Sequence, residues 1–225
     1  MMPLIFVISF TGAFGSLTRV RGYGSDNIFN WMAAYAALQG AVFAGTGGAA
    51  ATAEDLENGF FDRLLLAPGS RVPILVGTMA YSALRSLIPT TGVLIASALG
   101  GLRLAGGPLT LVTVYVATAG MAAVFCLVGL AIVYHFRTMR SMVLIQISAF
   151  TSLFLSTGMV PIHFMNGWLH TVARVNPLTN VLRFARQGFL GDLTWAMTWP
   201  GLVALGGMAL ASGTMAVHQL RGLAE

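Results

Sequence analysis

The sequence predicts an all-α polytopic membrane protein with six transmembrane helices, and three observations carry that prediction. Hydrophobic residues make up 56% of the chain and charged residues 8%, with a mean hydropathy of +0.80, whereas soluble domains are near half apolar and a quarter charged. Five stretches reach the ~20 mainly apolar residues that a helix needs to cross the hydrocarbon core, and a sixth comes close. The little charge there is gathers between these stretches rather than within them. All 12 basic residues are arginines with no run among them, which argues against nucleic acid as a partner and makes them loop and interface charges.

Taken in order, the expected spans are 2–18, 31–52, 72–99, 108–134, 141–160 and 193–217. The first is uncharged but short. It lacks the basic start and the small-residue cleavage site of a signal peptide, so it reads as a transmembrane helix. The third contains Arg85 and the other four carry no charge. Six spans put both termini on one side. Arginine counts do not say which: Arg63, Arg71, Arg137, Arg140 and Arg221 on one side face Arg19, Arg21, Arg103, Arg174, Arg183 and Arg186 on the other. Gly92, Ala96 and Gly100 form a row of small residues at spacing four, as do Gly40 and Ala44. Such rows serve close helix packing in lipid, either inside one bundle or along a dimer seam.

Residues 54–71 hold Glu54, Asp55, Glu57, Asp62, Arg63 and Arg71. Phe60, Phe61, Leu64 and Leu65 recur at helical spacing and share a face, with Asp62 and Arg63 on the other side. Pro68-Gly69 ends the segment and Pro73 opens the next span. This predicts a short helix lying along the membrane surface with its charges in water; an ordinary amphipathic connector is the alternative. Further on, Gly158, Pro161, Gly167, Asn176-Pro177 and Gly188 break the apolar sequence over 161–191. Broken helix at membrane depth needs protein or a water-filled cavity to satisfy its backbone. A re-entrant hairpin fits, and so does a plain extracellular loop with two short amphipathic helices. Trp168, Trp195 and Trp199 suit headgroup depth.

Glu57, Gly59, Arg63, Leu64, Pro68 and Arg71, between the second and third spans, resemble the signature loop of type-2 ABC exporter permeases, especially the daunorubicin-resistance and nodulation types. Phe60 and Asp62 match more loosely, the family favouring Thr and Glu there. The run from Phe154 to Pro161, then Trp168-Leu169, Val175-Asn176-Pro177-Leu178-Thr179, Arg183 and Gly191, is similar to the family's stretch before its last span. The resemblance implies that 54–71 is a cytoplasmic coupling helix, with Glu57 to Arg71 docking on a separate ATP-hydrolysing subunit, and that both termini are cytoplasmic. It implies export of an amphipathic or lipophilic compound (a drug, a lipid or a lipid-linked glycan) across a bacterial plasma membrane. The working unit would contain a second copy or a related permease. It departs from the family at the start, where Met1-Met2-Pro3 opens directly into apolar sequence in place of a charged amphipathic helix; the reading there is a start assigned too late or an element lost.

Arg85 lies deep in its span, where a charge is expensive and usually faces the bundle interior or water. It is expected to face a translocation path or cap backbone near Pro89, unless the span is shifted and it reaches an interface. Pro161, Trp168, Asn176, Pro177 and Arg183 join it as candidate gating residues. His163 and His170 are spaced too widely for a metal pair, and His135 and His218 lie at span ends. Cys126 reads as a small buried residue and the 12 methionines as gap fillers. A chain without lysine has no P-loop, so ATP and Mg are expected on the partner and no cofactor or catalytic set on this chain. Aromatic residues look scattered, which favours a lipophilic cargo over a polysaccharide. A membrane-embedded lipid-modifying enzyme built on His163, His170 and Arg183, or a membrane anchor, are the rivals.

Overall fold

The computed structural model describes residues 2–20, 23, 25–65 and 71–222, and every regular element among them is helical. The helices are α1 (Met2–Phe14), α2 (Ile28–Glu57), α3 (Phe60–Leu65), α4 (Val72–Leu99), α5 (Leu109–Phe136), α6 (Met142–Phe154), α7 (Trp168–Val175), α8 (Pro177–Leu190) and α9 (Trp195–Arg221). Three of them, α4, α5 and α9, are long and apolar enough to cross a membrane. At 30 residues α2 is longer than any of these, but it is made largely of alanine and glycine. With 13 residues each, α1 and α6 rise only about 20 Å. By length and composition these helices supply three candidate crossings where six are expected.

The composition of α2 follows from its place at the centre. Most of its residues are buried, from Trp31 through Ala53, and α5, α4, α1 and α8 pack around it. Glycine lets these neighbours approach to backbone contact. A Cβ on Gly45 would fall 2.3 Å from the Ala122 carbonyl oxygen, and one on Gly129 would fall 2.5 Å from Ala49 Cβ. A helix covered by protein over most of its surface needs little leucine on its outside. The small-residue rows also work within the bundle: Gly40 receives Pro3 and Pro89, Gly92 faces Leu4, and Gly100 faces the Phe29 ring.

The outer helices show the reverse of a soluble pattern. On α4, Leu84, Ile88, Ile95 and Leu99 are exposed while Ser82, Ser86, Thr90 and Ser97 are buried. The Ser86 and Thr90 hydroxyls donate to the Ala83 and Ser86 carbonyls at 2.6 and 2.8 Å, which satisfies them without water. Leu210 on α9 and Ile147 on α6 continue the apolar exterior.

The helices alternate in direction, so the bundle has two ends. Asn27, Gly101 and α8 mark one; the α3 segment, the α5–α6 turn and the tail of α9 mark the other, charged end. At the first end Asn27 caps α2 through Phe29 N–H and donates to the Gly101 carbonyl at 2.7 Å. α1 starts at mid-height, with Pro3 against the middles of α2 and α4, and runs to that same end.

Between α6 and α9 the chain makes a bent excursion. α6 stops at Phe154, earlier than the apolar run suggests, and 155–161 is irregular. One residue closes this break. The Asn176 side chain donates to the Ser152 and Leu155 carbonyls at 2.9 and 3.0 Å and accepts from Leu178 N–H at 3.0 Å. It thereby caps α8 while covering orphan carbonyls at the end of α6. α7 lies outside, with Trp168 and Val175 exposed, and α8 is buried along one face against α9, α5 and α2.

Candidate functional site

At the charged end the expected surface helix is divided. Glu54, Asp55 and Glu57 belong to the last turns of α2, and the chain then reverses through Asn58 and Gly59, whose φ of +69° favours glycine. Only then does α3 begin. The expected apolar face is split as well. Phe61 is buried against Tyr134, ring centroids 5.6 Å apart, in a core cluster with Leu75, Leu130, Ile145 and Leu220, whereas Phe60 and Leu64 are exposed. One aromatic side chain thus wedges α3 into the base of the bundle. Arg63 is exposed and Arg71, at the start of α4, half-buried. Pro68 lies outside the described residues, as do the side chains of Asp62 and Leu65.

Glu57 has a role that its sequence position does not suggest. Its carboxylate accepts the Met139 backbone N–H, at the start of the turn that leads into α6. Thr138, in the capping position there, makes no side-chain cap. Glu57 supplies from another helix the acceptor and negative charge that a helix start favours. Beside it, Arg137 holds a left-handed conformation, φ 54°, with its guanidinium donating to the Gly222 carbonyl at 3.0 Å. The sequence from His135 to Arg140 is exposed throughout. The tail of α2, α3, the α5–α6 turn and the end of α9 therefore form one interlocked surface.

Among the residues expected to gate, Arg85 is exposed halfway along α4, with its guanidinium beside Gly47 of α2. It makes no hydrogen bond to the backbone near Pro89 among the described residues. Pro161 is buried, Pro177 and Trp168 exposed, and Asn176 is the clasp described above. Arg183 is exposed at the rim of a cavity of about 560 Å³ at the end opposite α3, with Pro161 and His163 also in its wall. His170 does not line it. No group of three His, Cys, Asp or Glu suited to a metal occurs among the described residues.

Arg186, three residues beyond Arg183 and expected only as one of the loop and interface charges, is buried instead. It is 3% exposed. Its Nε donates to the Trp31 carbonyl at 3.0 Å, its Nη1 to Thr157 at 3.1 Å and its Nη2 to Gly158 at 2.8 Å, and it lies 3.8 Å over the Trp31 ring. It closes the irregular 155–161 stretch onto α2, and it draws on carbonyl dipoles and a ring face in place of a carboxylate. The guanidinium keeps its charge, as arginine does in proteins. The signal was available: Leu178, Leu182 and Phe189 mark the buried face of α8, and Arg186 shares that face while Arg183 does not.

Aromatic residues that look scattered in sequence form two rows. Phe6, Phe10 and Phe14 stack along α1 at 4.0 and 5.3 Å, and Phe6 meets Tyr35 of α2 at 5.5 Å. Phe43 of α2 meets Phe150 of α6 at 5.6 Å, and Phe154 follows at 6.1 Å. The expectation of scattered rings is corrected by this geometry; the spacing of four along α1 and α6 was its sign.

Sequence comparison with known proteins identifies relatives and a family. The chain is similar to proteins named as transport permease ycf38 from Pyropia yezoensis, 29% identical over 153 residues, and Porphyra purpurea, 30% identical over 157 residues. Each alignment covers 64% of this chain, and the chain spans about half the length of these relatives, 50% in both cases. The model of the ABC-2 type transporter family matches residues 1–190. With an apolar helical bundle and a family match over most of its length, the chain is a multi-pass membrane protein that belongs to the ABC-2 type transporter family.

Proposed function

We propose that this chain is the membrane-spanning subunit of an ATP-driven exporter that moves an amphipathic or lipophilic compound outward by alternating access. The observation that supports this best is α3, a short helix hung beyond the bundle on Phe61, with Arg63, Phe60 and Leu64 turned outward. A helix so placed offers a partner charge and apolar contact, and passes any displacement to α2, α5, α6 and α9 through one buried ring. The partner is an ATPase subunit that holds ATP and Mg, with a second copy or a related permease completing the complex. In this reading α3 and both termini are cytoplasmic, the membrane is a bacterial plasma membrane, and the helices form six spans, α1 and α6 being completed in depth by the turns that follow them. The segment from 161 to 191 is then a re-entrant hairpin on the outer side. ATP-bound partners must favour the outward state by several kcal/mol.

A polysaccharide cargo is a second reading, favoured by the aromatic rows along α1 and α6, since rings 4.0 to 6.1 Å apart offer faces for sugar stacking.

The test is mass spectrometry of the complex purified from native membranes in mild detergent, wild type against Arg63→Glu. Arg63 is exposed, so the variant leaves the bundle intact. A P-loop ATPase recovered with wild type and lost from Arg63→Glu is the expected result. Wild type that is folded and yet free of any ATPase would overturn the proposal.

A further inference from the structure

The cavity near α8 has a chemistry that its structural roles do not use up. One stripe of α8 faces it, Asn180, Arg183, Arg186 and Gln187. Gln187 is committed: its amide donates to Thr198 Oγ1 at 2.9 Å and accepts from Thr194 N–H at 3.1 Å, which fixes the start of α9 as the opposite wall. Arg186 spends three N–H groups on carbonyls. A guanidinium has five, so two remain. No ion pair holds it among the described residues. Arg183 stands at i−3 on the same helix, and like charges at that spacing repel. Asp192 is the one carboxylate in the wall, against two guanidinium charges. The rest of the wall is mostly apolar, with Ile162, Leu190, Met197 and Pro200, and Tyr23, Thr157, His163 and Thr194 are its other polar side chains.

We propose that this cavity binds an amphipathic anion, its phosphate or carboxylate head held by Arg183 and Arg186 and its hydrocarbon laid along Ile162, Leu190 and Met197. An anionic head relieves the repulsion between the two arginines and supplies the charge that the buried one lacks, which neutral ligands do not. The apolar wall selects an amphipath over a small free anion. The site does not depend on coupling to ATP and is tested without the partner.

The purified chain, delipidated in mild detergent, is titrated with dioctanoyl phosphatidylglycerol and followed by native mass spectrometry. Saturable binding of one molecule is expected, weakened about tenfold in Arg183→Gln through loss of a charge-assisted contact. Dioctanoylglycerol, with the same chains and no phosphate, should bind at least that much more weakly. Arg183 is exposed, so its replacement leaves the fold intact, and Arg183→Lys, which keeps the charge, should bind within a few-fold of wild type. Equal binding of the two lipids, or unchanged binding by Arg183→Gln, overturns the proposal. Displacement of the lipid by equimolar inorganic phosphate overturns the amphipath in favour of a free anion.

Discussion

Phe61 concentrates the attachment of α3 into one ring. Of the α3 side chains described it alone is buried, at 2% exposure, and truncating a buried phenylalanine costs about 3 kcal/mol. Phe61→Ala should loosen α3 while leaving the outward surface of Arg63 and Phe60 unchanged. On the proposed function, the expected outcome is an ATPase that still co-purifies but hydrolyses ATP without transport, measured as the ratio of cargo moved to phosphate released in proteoliposomes. Glu57 acts differently. Glu57→Gln keeps an acceptor for Met139 N–H and removes the charge, so thermal stability should fall by less than about 1 kcal/mol. Glu57→Ala leaves that amide without its partner and should cost about 1–2 kcal/mol. Thermal unfolding of the two variants side by side separates the contributions.

Among the elements, the excursion between α6 and α9 depends on two side chains, Asn176 and Arg186. Asn176→Ala removes two donors and one acceptor and exposes the end of α6; at about 1 kcal/mol per bond the loss is ~3 kcal/mol. Hydrogen exchange over 155–175 should rise sharply, with α4 and α5 unchanged. Much of this element was legible beforehand. Asn176-Pro177 announces a cap followed by a helix start, and the Pro and Gly positions announce the break. What could not be read was the partner of each polar group: the asparagine reaches 24 residues back to Ser152, and Arg186 reaches 155 residues back to Trp31. Contacts of that span are set by packing, and local spacing carries no trace of them. The same holds at the charged end. Periodicity put four apolar residues of 60–65 on one face but could not say that the bundle would accept Phe61 and leave Phe60 and Leu64 outside. Likewise the acidic cluster looked like part of the surface helix because nothing local marks where α2 ends, apart from Gly59.

For the whole molecule, α2 determines the arrangement. The Ala-Gly sequence that keeps it from reading as strongly apolar is what allows four neighbours, α1, α4, α5 and α8, to close on it. Gly45→Leu, which sets a side chain where the α5 backbone already lies, should separate the two central helices. The expected result is loss of folded, monodisperse protein in size-exclusion chromatography. Gly206→Leu, at a position with open space around it, should leave the elution profile as it is. The pair distinguishes packing at the core from tolerance on the lipid-facing side, and it tests the view that the small residues are intramolecular.

The bond from Glu57 to Met139 has a mechanical meaning. It fastens the foot of α2 to the foot of α6, and the head of α6 is fastened by Asn176 to the bent segment that Arg186 clamps back onto the head of α2. α6 is thereby a connecting rod, pinned at both ends and touching α2 only lightly between them. If the foot of α2 swings, the rod must travel lengthwise and turn the clamp at its far end. Its lever arm is the ~20 Å rise of its 13 residues, and the play in the linkage is no larger than the slack in two hydrogen-bonded joints.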